Sequence, residues 1–180
     1  MSFVPDQHHR RSIRLQSYDY TQGGAYFVTV CAYRHGCIFG EIVEAEMQVN
    51  DFGRIVLDEW LRTGERANVE LDVFIVMPNH IHGVLVLIAD NASNSLESQQ
   101  QGFGRPVAGS LGTIVVAYKS ATARRINRLR NTPGAPVWQR NYFEHIIRNQ
   151  ASYEYIYRYV QHNASILEFD RLRPEGHDER

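Results

Sequence analysis

The sequence predicts an α+β fold, an antiparallel sheet with helices packed on it, and three observations carry that expectation. Residues 25–33 (AYFVTVCAY) alternate β-branched and aromatic side chains, as a strand does. Two strong apolar runs, 69–77 and 80–88, are separated only by Pro78-Asn79, a short punctuation suited to antiparallel neighbours. The order of signals is strand, helix, strand, strand, then helix, strand and helix, which suits helices laid on one antiparallel sheet.

Taken in order, residues 38–47 read as a weaker second strand, opened by Gly36 and Gly40. Asn50 can cap a helix running to about Arg66, in which Phe52, Ile55, Val56 and Trp60 form one apolar stripe. Residues 89–108 change character to Asn, Ser, Gln and Gly, so they are expected to form a flexible insertion loop within a single domain. A helix over 109–130 follows, with Leu111, Ile114, Val115, Tyr118, Thr122, Ile126 and Leu129 on one face and Arg124 and Arg128 one turn apart on its flank. Thr132-Pro133-Gly134-Ala135-Pro136 ends it. A last strand is expected around 142–147 and a final helix over 151–162. One domain spans 1–180, its core about 12–167, with a polar, frayed tail at 168–180.

Composition narrows the class. The 180 residues are 43% hydrophobic and 22% charged, which excludes collagen-like, wholly disordered and membrane-spanning chains. Cys31 and Cys37 make neither a CxxC site nor a disulfide framework, and residues 1–14 lack the apolar core of a signal peptide. The expectation is a cytoplasmic protein with no membrane partner. The net charge of −1 hides a segregation: residues 98–143 carry seven basic side chains and no acidic one, so that stretch is +7 and the remainder −8. Eighteen of the nineteen basic residues are Arg; Lys119 is the single Lys.

Two patterns carry chemistry. His80 and His82, at i and i+2 of a strand, project from one face and can share a cation, while Ile81 points the other way. The final helix holds four tyrosines, most of which packing alone explains. Tyr159 and Asn163 stand at i and i+4, so a phenol and an amide oxygen share a face; Tyr157 and Gln161 have the same spacing on another face, and spacing does not choose between them.

Val76-Met77-Pro78-Asn79-His80-Ile81-His82-Gly83 resembles the His-hydrophobic-His motif of the single-tyrosine HUH transposases. Trp138-Gln139-Arg140-Asn141-Tyr142-Phe143-Glu144-His145-Ile146-Ile147-Arg148 resembles a signature of their REP-associated (RAYT) branch, and the strand over 22–33 and Lys119-Ser120 fit as well. The likeness covers residues 11–170, nearly the whole chain. It implies the ferredoxin-like HUH endonuclease fold. The family's helix reads Tyr-hydrophobic-x-x-Asn, usually followed by Pro. Tyr159-Val160-Gln161-His162-Asn163 matches it, although Ala164 stands where Pro is usual. The resemblance thus implies Tyr159 as nucleophile and His80, His82 and Asn163 as metal ligands, with Tyr157 and Gln161 the runner-up pair.

What it implies for function is metal-dependent cleavage and rejoining of single-stranded DNA at repetitive palindromic hairpins through a 5′-phosphotyrosine. Two neutral imidazoles and an amide leave a cation's charge available to phosphate, which suits Mg²⁺ or Mn²⁺. Lys119, Arg124, Arg125 and Arg128 are expected to track hairpin phosphates, and Arg10, Arg11 and Arg14 to form a second arm. The working unit is a monomer or a homodimer. Two other classes stay open: a DNA-hairpin-binding module of the same fold that has lost cleavage, and a small metalloenzyme with an unrelated substrate.

Overall fold

A computed structural model describes residues 23–88 and 109–162. Arg10, Arg11, Arg14, Asn163, the 89–108 stretch and the 168–180 tail lie outside the described residues. Six strands and three α-helices are present among those described: β1 (Gly24–Cys31), β2 (Gly40–Val43), β3 (Glu46–Val49), α1 (Asp51–Thr63), β4 (Val69–Met77), β5 (His80–Leu87), α2 (Leu111–Leu129), β6 (Phe143–Ile147) and α3 (Gln150–His162), with a single 3-10 turn at Tyr33–His35. The main sheet runs β4-β5-β1-β6, antiparallel throughout. The α+β expectation therefore holds. No helix among the described residues is long and apolar enough to cross a membrane.

The alternation of β1 divides the molecule. Tyr26, Val28 and Val30, all fully buried, join Ile81 and Leu85 of β5 in the larger core, against Val56 and Trp60 of α1 and Leu111, Ile114, Tyr118 and Ile126 of α2. Phe27 and Val84 point to the opposite face and pack on Ile156 and Val160 of α3. The period-2 pleat thus sends His80 and His82 to the α3 face and Ile81 to the main core.

Local chemistry sets the element ends. Asn50 Oδ1 accepts from the Phe52 and Gly53 amides at 2.9 and 3.1 Å, capping α1, and its Nδ2 donates to the Ile38 carbonyl. Ser110 caps α2 by accepting from the Thr113 amide. Trp138 Nε1 donates to Thr122 at 2.7 Å, tying the segment before β6 to α2.

Two expectations are corrected. Residues 38–47 are not a single strand: β2 and β3 form a hairpin, Val43 opposite Glu46, turned by Glu44 and Ala45 at φ 51° and 64°. Tight hairpins favour such left-handed turn residues, usually Asn or Gly. With Glu and Ala in those places the turn carries no sequence signal. The helix expected to reach about Arg66 also closes earlier, at Thr63.

Candidate active site

His80 and His82 are 1% and 2% exposed, on the strand that follows the two-residue turn at Pro78-Asn79. Their Nε2 atoms face each other at 3.0 Å. Each outer nitrogen has its own partner. His80 Nδ1 lies 2.7 Å from Asn79 Oδ1, and His82 Nδ1 lies 2.8 Å from Thr29 Oγ1, directly across the β1–β5 pair. The Asn79 amide is oriented by its Nδ2, which donates to the His35 carbonyl at 3.4 Å. An amide oxygen only accepts, so His80 Nδ1 carries the proton and its Nε2 presents a lone pair in the neutral ring. Thr29 both donates and accepts, so it satisfies either tautomer of His82.

Burial, and secondarily the neighbouring His80, hold the His82 pKa well below the usual imidazole value. A neutral ring at physiological pH is what a metal ligand needs. The spacing fits as well: two donors about 2.1 Å from one octahedral cation stand about 3.0 Å apart at right angles. Among the described residues no cluster of three or more His, Cys, Asp or Glu has metal-site geometry, so a cation on this pair would need a third donor of another type or from beyond them.

α3 brings the phenol. Ile156 and Val160 anchor it in the smaller core, and Tyr159, three residues after Ile156, falls on the same face. Tyr159 Oη lies 3.3 Å from His82 Nε2, the rings meet edge-on at 5.2 Å, and Phe27 stacks on His82 while making a T-shaped contact with Tyr159. Tyr157 lies about 200° around the helix from Tyr159. Its hydroxyl accepts from Gln161 Nε2 at 2.8 Å, so that pair is bonded to itself on an exposed face. Of the two Tyr pairs left open by spacing, the fold brings Tyr159 to the histidines.

The helix orientation is held by a second contact. β4 carries an irregularity between Leu71 and Phe74, and Asp72 within it accepts from Tyr153 Oη at 2.7 Å. That hydrogen bond, ahead of a little burial, pushes the Tyr153 pKa up to about 12.

The basic residues divide into two kinds. Lys119 Nζ donates to the carbonyls of Gln139, Arg140 and Asn141 at 2.6, 3.0 and 3.4 Å, and burial lowers its pKa. Arg125 bridges Asp58 and the buried Glu59 of α1 at 3.0 and 2.7 Å. Arg124 and Arg128 are exposed on α2. Part of the +7 stretch is therefore neutralised inside the fold. Thr29, Phe27 and Asn79 are the site residues that sequence reading missed as such. Asn79 was visible only as turn punctuation, and nothing before the strand pairing marks Thr29 as facing His82.

No family model matches the chain. Against known proteins, it is 39% identical over 170 residues to an uncharacterized protein of Haemophilus influenzae, with 92% of this chain and 93% of that protein covered. Among solved structures it resembles a REP-associated tyrosine transposase bound to a REP hairpin, at a TM-score of 0.52 and 15% identity, covering 85% of this chain and 73% of that one. The second likeness is one of fold. By the first, the chain belongs to the same family as the uncharacterized Haemophilus influenzae protein.

Proposed function

We propose that the protein is a transposase-type endonuclease that cuts and rejoins single-stranded DNA at repetitive palindromic hairpins. The observation that carries this reading is the convergence of two imidazole Nε2 atoms and the Tyr159 phenol within 3.3 Å on one sheet face. The fold shared with a hairpin-bound tyrosine transposase supports it.

His80 and His82 would hold a divalent cation, Mg²⁺ or Mn²⁺, with Asn163 as the third ligand by resemblance. Such an ion supplies positive charge to the non-bridging oxygens of the scissile phosphate. Tyr159 is the nucleophile. Its phenolic oxygen forms a bond to phosphorus while the bond to the 3′ oxygen breaks, leaving a 5′-phosphotyrosine and a 3′-OH. A free phenol has a pKa of about 10, so a base or nearby positive charge must assist its deprotonation. One phosphodiester is exchanged for another, and the reverse attack by a 3′-OH rejoins the strand without ATP. Of the four basic residues of α2 expected to track phosphates, Arg124 and Arg128 keep an exposed charge for the hairpin backbone.

The test mixes the protein with hairpin oligonucleotides and Mn²⁺ and looks for a denaturation-resistant protein–DNA adduct. The wild type is expected to form it and Tyr159→Phe to abolish it. An adduct that persists in Tyr159→Phe refutes the assignment. Hairpin binding without any adduct in the wild type identifies a binding module that has lost cleavage.

A further inference from the structure

Phe143 is 53% exposed at the start of β6, an edge strand, where a bare aromatic ring favours unwanted association unless it has a use. It stands opposite Thr29, whose hydroxyl bonds His82, and so lies on the face that carries the histidines. Phe27 joins the two: its ring makes a T-shaped contact with Phe143 at 6.5 Å and stacks on His82 at 5.3 Å, with a second T-shaped contact to Tyr159 at 6.3 Å. Phe143 is thus an exposed aromatic ring, one ring beyond the reacting groups. Exposed Leu57, Leu61, Val116 and Leu129, by contrast, are aliphatic and sit on α1 and α2 across the sheet.

The segment leading to Phe143 is held before any ligand arrives. The three successive carbonyls of Gln139, Arg140 and Asn141 are gathered by Lys119, and the Gln139 amide donates to the Cys31 carbonyl at 2.9 Å. This leaves the Arg140 side chain exposed three residues before the ring, within the stretch that has no acidic residue. An exposed aromatic ring and an exposed arginine three residues apart on a pinned backbone have the chemistry of a single-strand platform, in which a base stacks and a phosphate meets the cation.

On the reading proposed above, we infer that Phe143 stacks on the unpaired nucleobase flanking the scissile phosphate, with Arg140 meeting the adjoining phosphate. The site then selects for single-stranded flank as well as for the hairpin, because a paired base has no free face to offer. The ring acts through its π face, so a larger aromatic serves and an aliphatic side chain does not.

The experiment measures binding, in EDTA to prevent cleavage, of two oligonucleotides: a hairpin alone and the same hairpin with a single-stranded flank carrying 2-aminopurine beside the cleavage position. Wild type is expected to bind the flanked form more tightly and to quench the 2-aminopurine. Phe143→Ala and Phe143→Leu should weaken flanked binding about five- to hundredfold, abolish the quench and leave hairpin-only binding unchanged, whereas Phe143→Trp retains both effects. Wild-type affinity and quenching in Phe143→Leu, or equal losses on both oligonucleotides, overturn the inference while leaving the proposed function standing. So does a change of oligomeric state on gel filtration with unaltered DNA binding, which would make Phe143 a contact between copies. A wild-type protein that binds neither oligonucleotide overturns the inference and the proposed function together.

Discussion

Asn79→Ala is the perturbation that tests the geometry of the histidine pair most directly. Asn79 is 1% exposed, and its Oδ1 holds the proton on His80 Nδ1 through a 2.7 Å contact. Removing it deletes one buried hydrogen bond, about 1 kcal/mol, and strands a buried N–H at about 1–3 kcal/mol. The ring can relieve the second cost by moving its proton to Nε2. The stability loss is then about 1–2 kcal/mol, but the lone pair facing His82 is gone. Losing such an outer partner typically weakens metal binding about 10–100-fold. Free Mn²⁺ followed by electron paramagnetic resonance reads the affinity, ¹⁵N-correlated imidazole spectra read the tautomer, and urea unfolding reads the stability. Asn79→Asp keeps an acceptor and should keep the Nδ1–H tautomer. A folded Asn79→Ala protein with wild-type Mn²⁺ affinity and an unchanged His80 tautomer would refute the reasoning.

Four further outcomes follow from the structure. Combined Arg124→Ala and Arg128→Ala should lower the magnitude of the salt slope of hairpin binding by about 1.8, at about 0.9 per duplex phosphate contact. Arg125→Ala should leave that slope unchanged and cost about 1–2 kcal/mol in urea melts, because it uncovers the buried Glu59 carboxylate. Gly83→Ala should destabilise by about 1–3 kcal/mol and weaken Mn²⁺ binding. Its Cβ would come within 2.5 Å of Trp60 Cζ2, on the strand that carries both histidines. Tyr153→Phe should lose about 0.5–1 kcal/mol at neutral pH. The folded pKa of Tyr153 is about 12, above its unfolded value of about 10, so its contribution is complete below about pH 10 and disappears as pH rises to about 12. Wild type and variant should therefore converge in stability across that alkaline window, which melts at stepped pH will measure.

The sequence by itself determined the α+β class, the central strands and the helices, because alternation and helical spacing are local properties set by which face must leave water. It also determined that His80 and His82 share a face, since the pleat guarantees it. It missed the Glu44-Ala45 turn, whose left-handed residues carry no glycine or asparagine to announce them. Tertiary structure alone decided the rest. Tyr159 and Tyr157 have identical spacing to their amide partners, and only the docking of Ile156 and Val160 on the sheet turns Tyr159 toward His82. The charge on Arg124 and Arg125 is equal in sequence, yet the crossing of α1 and α2 brings Asp58 and Glu59 to Arg125 and leaves Arg124 to solvent. Thr29 entered the site through strand register, 53 residues from the histidine it bonds. Side chains distant in sequence become partners only when burial of the two cores brings their elements together, and local pattern contains no record of that choice.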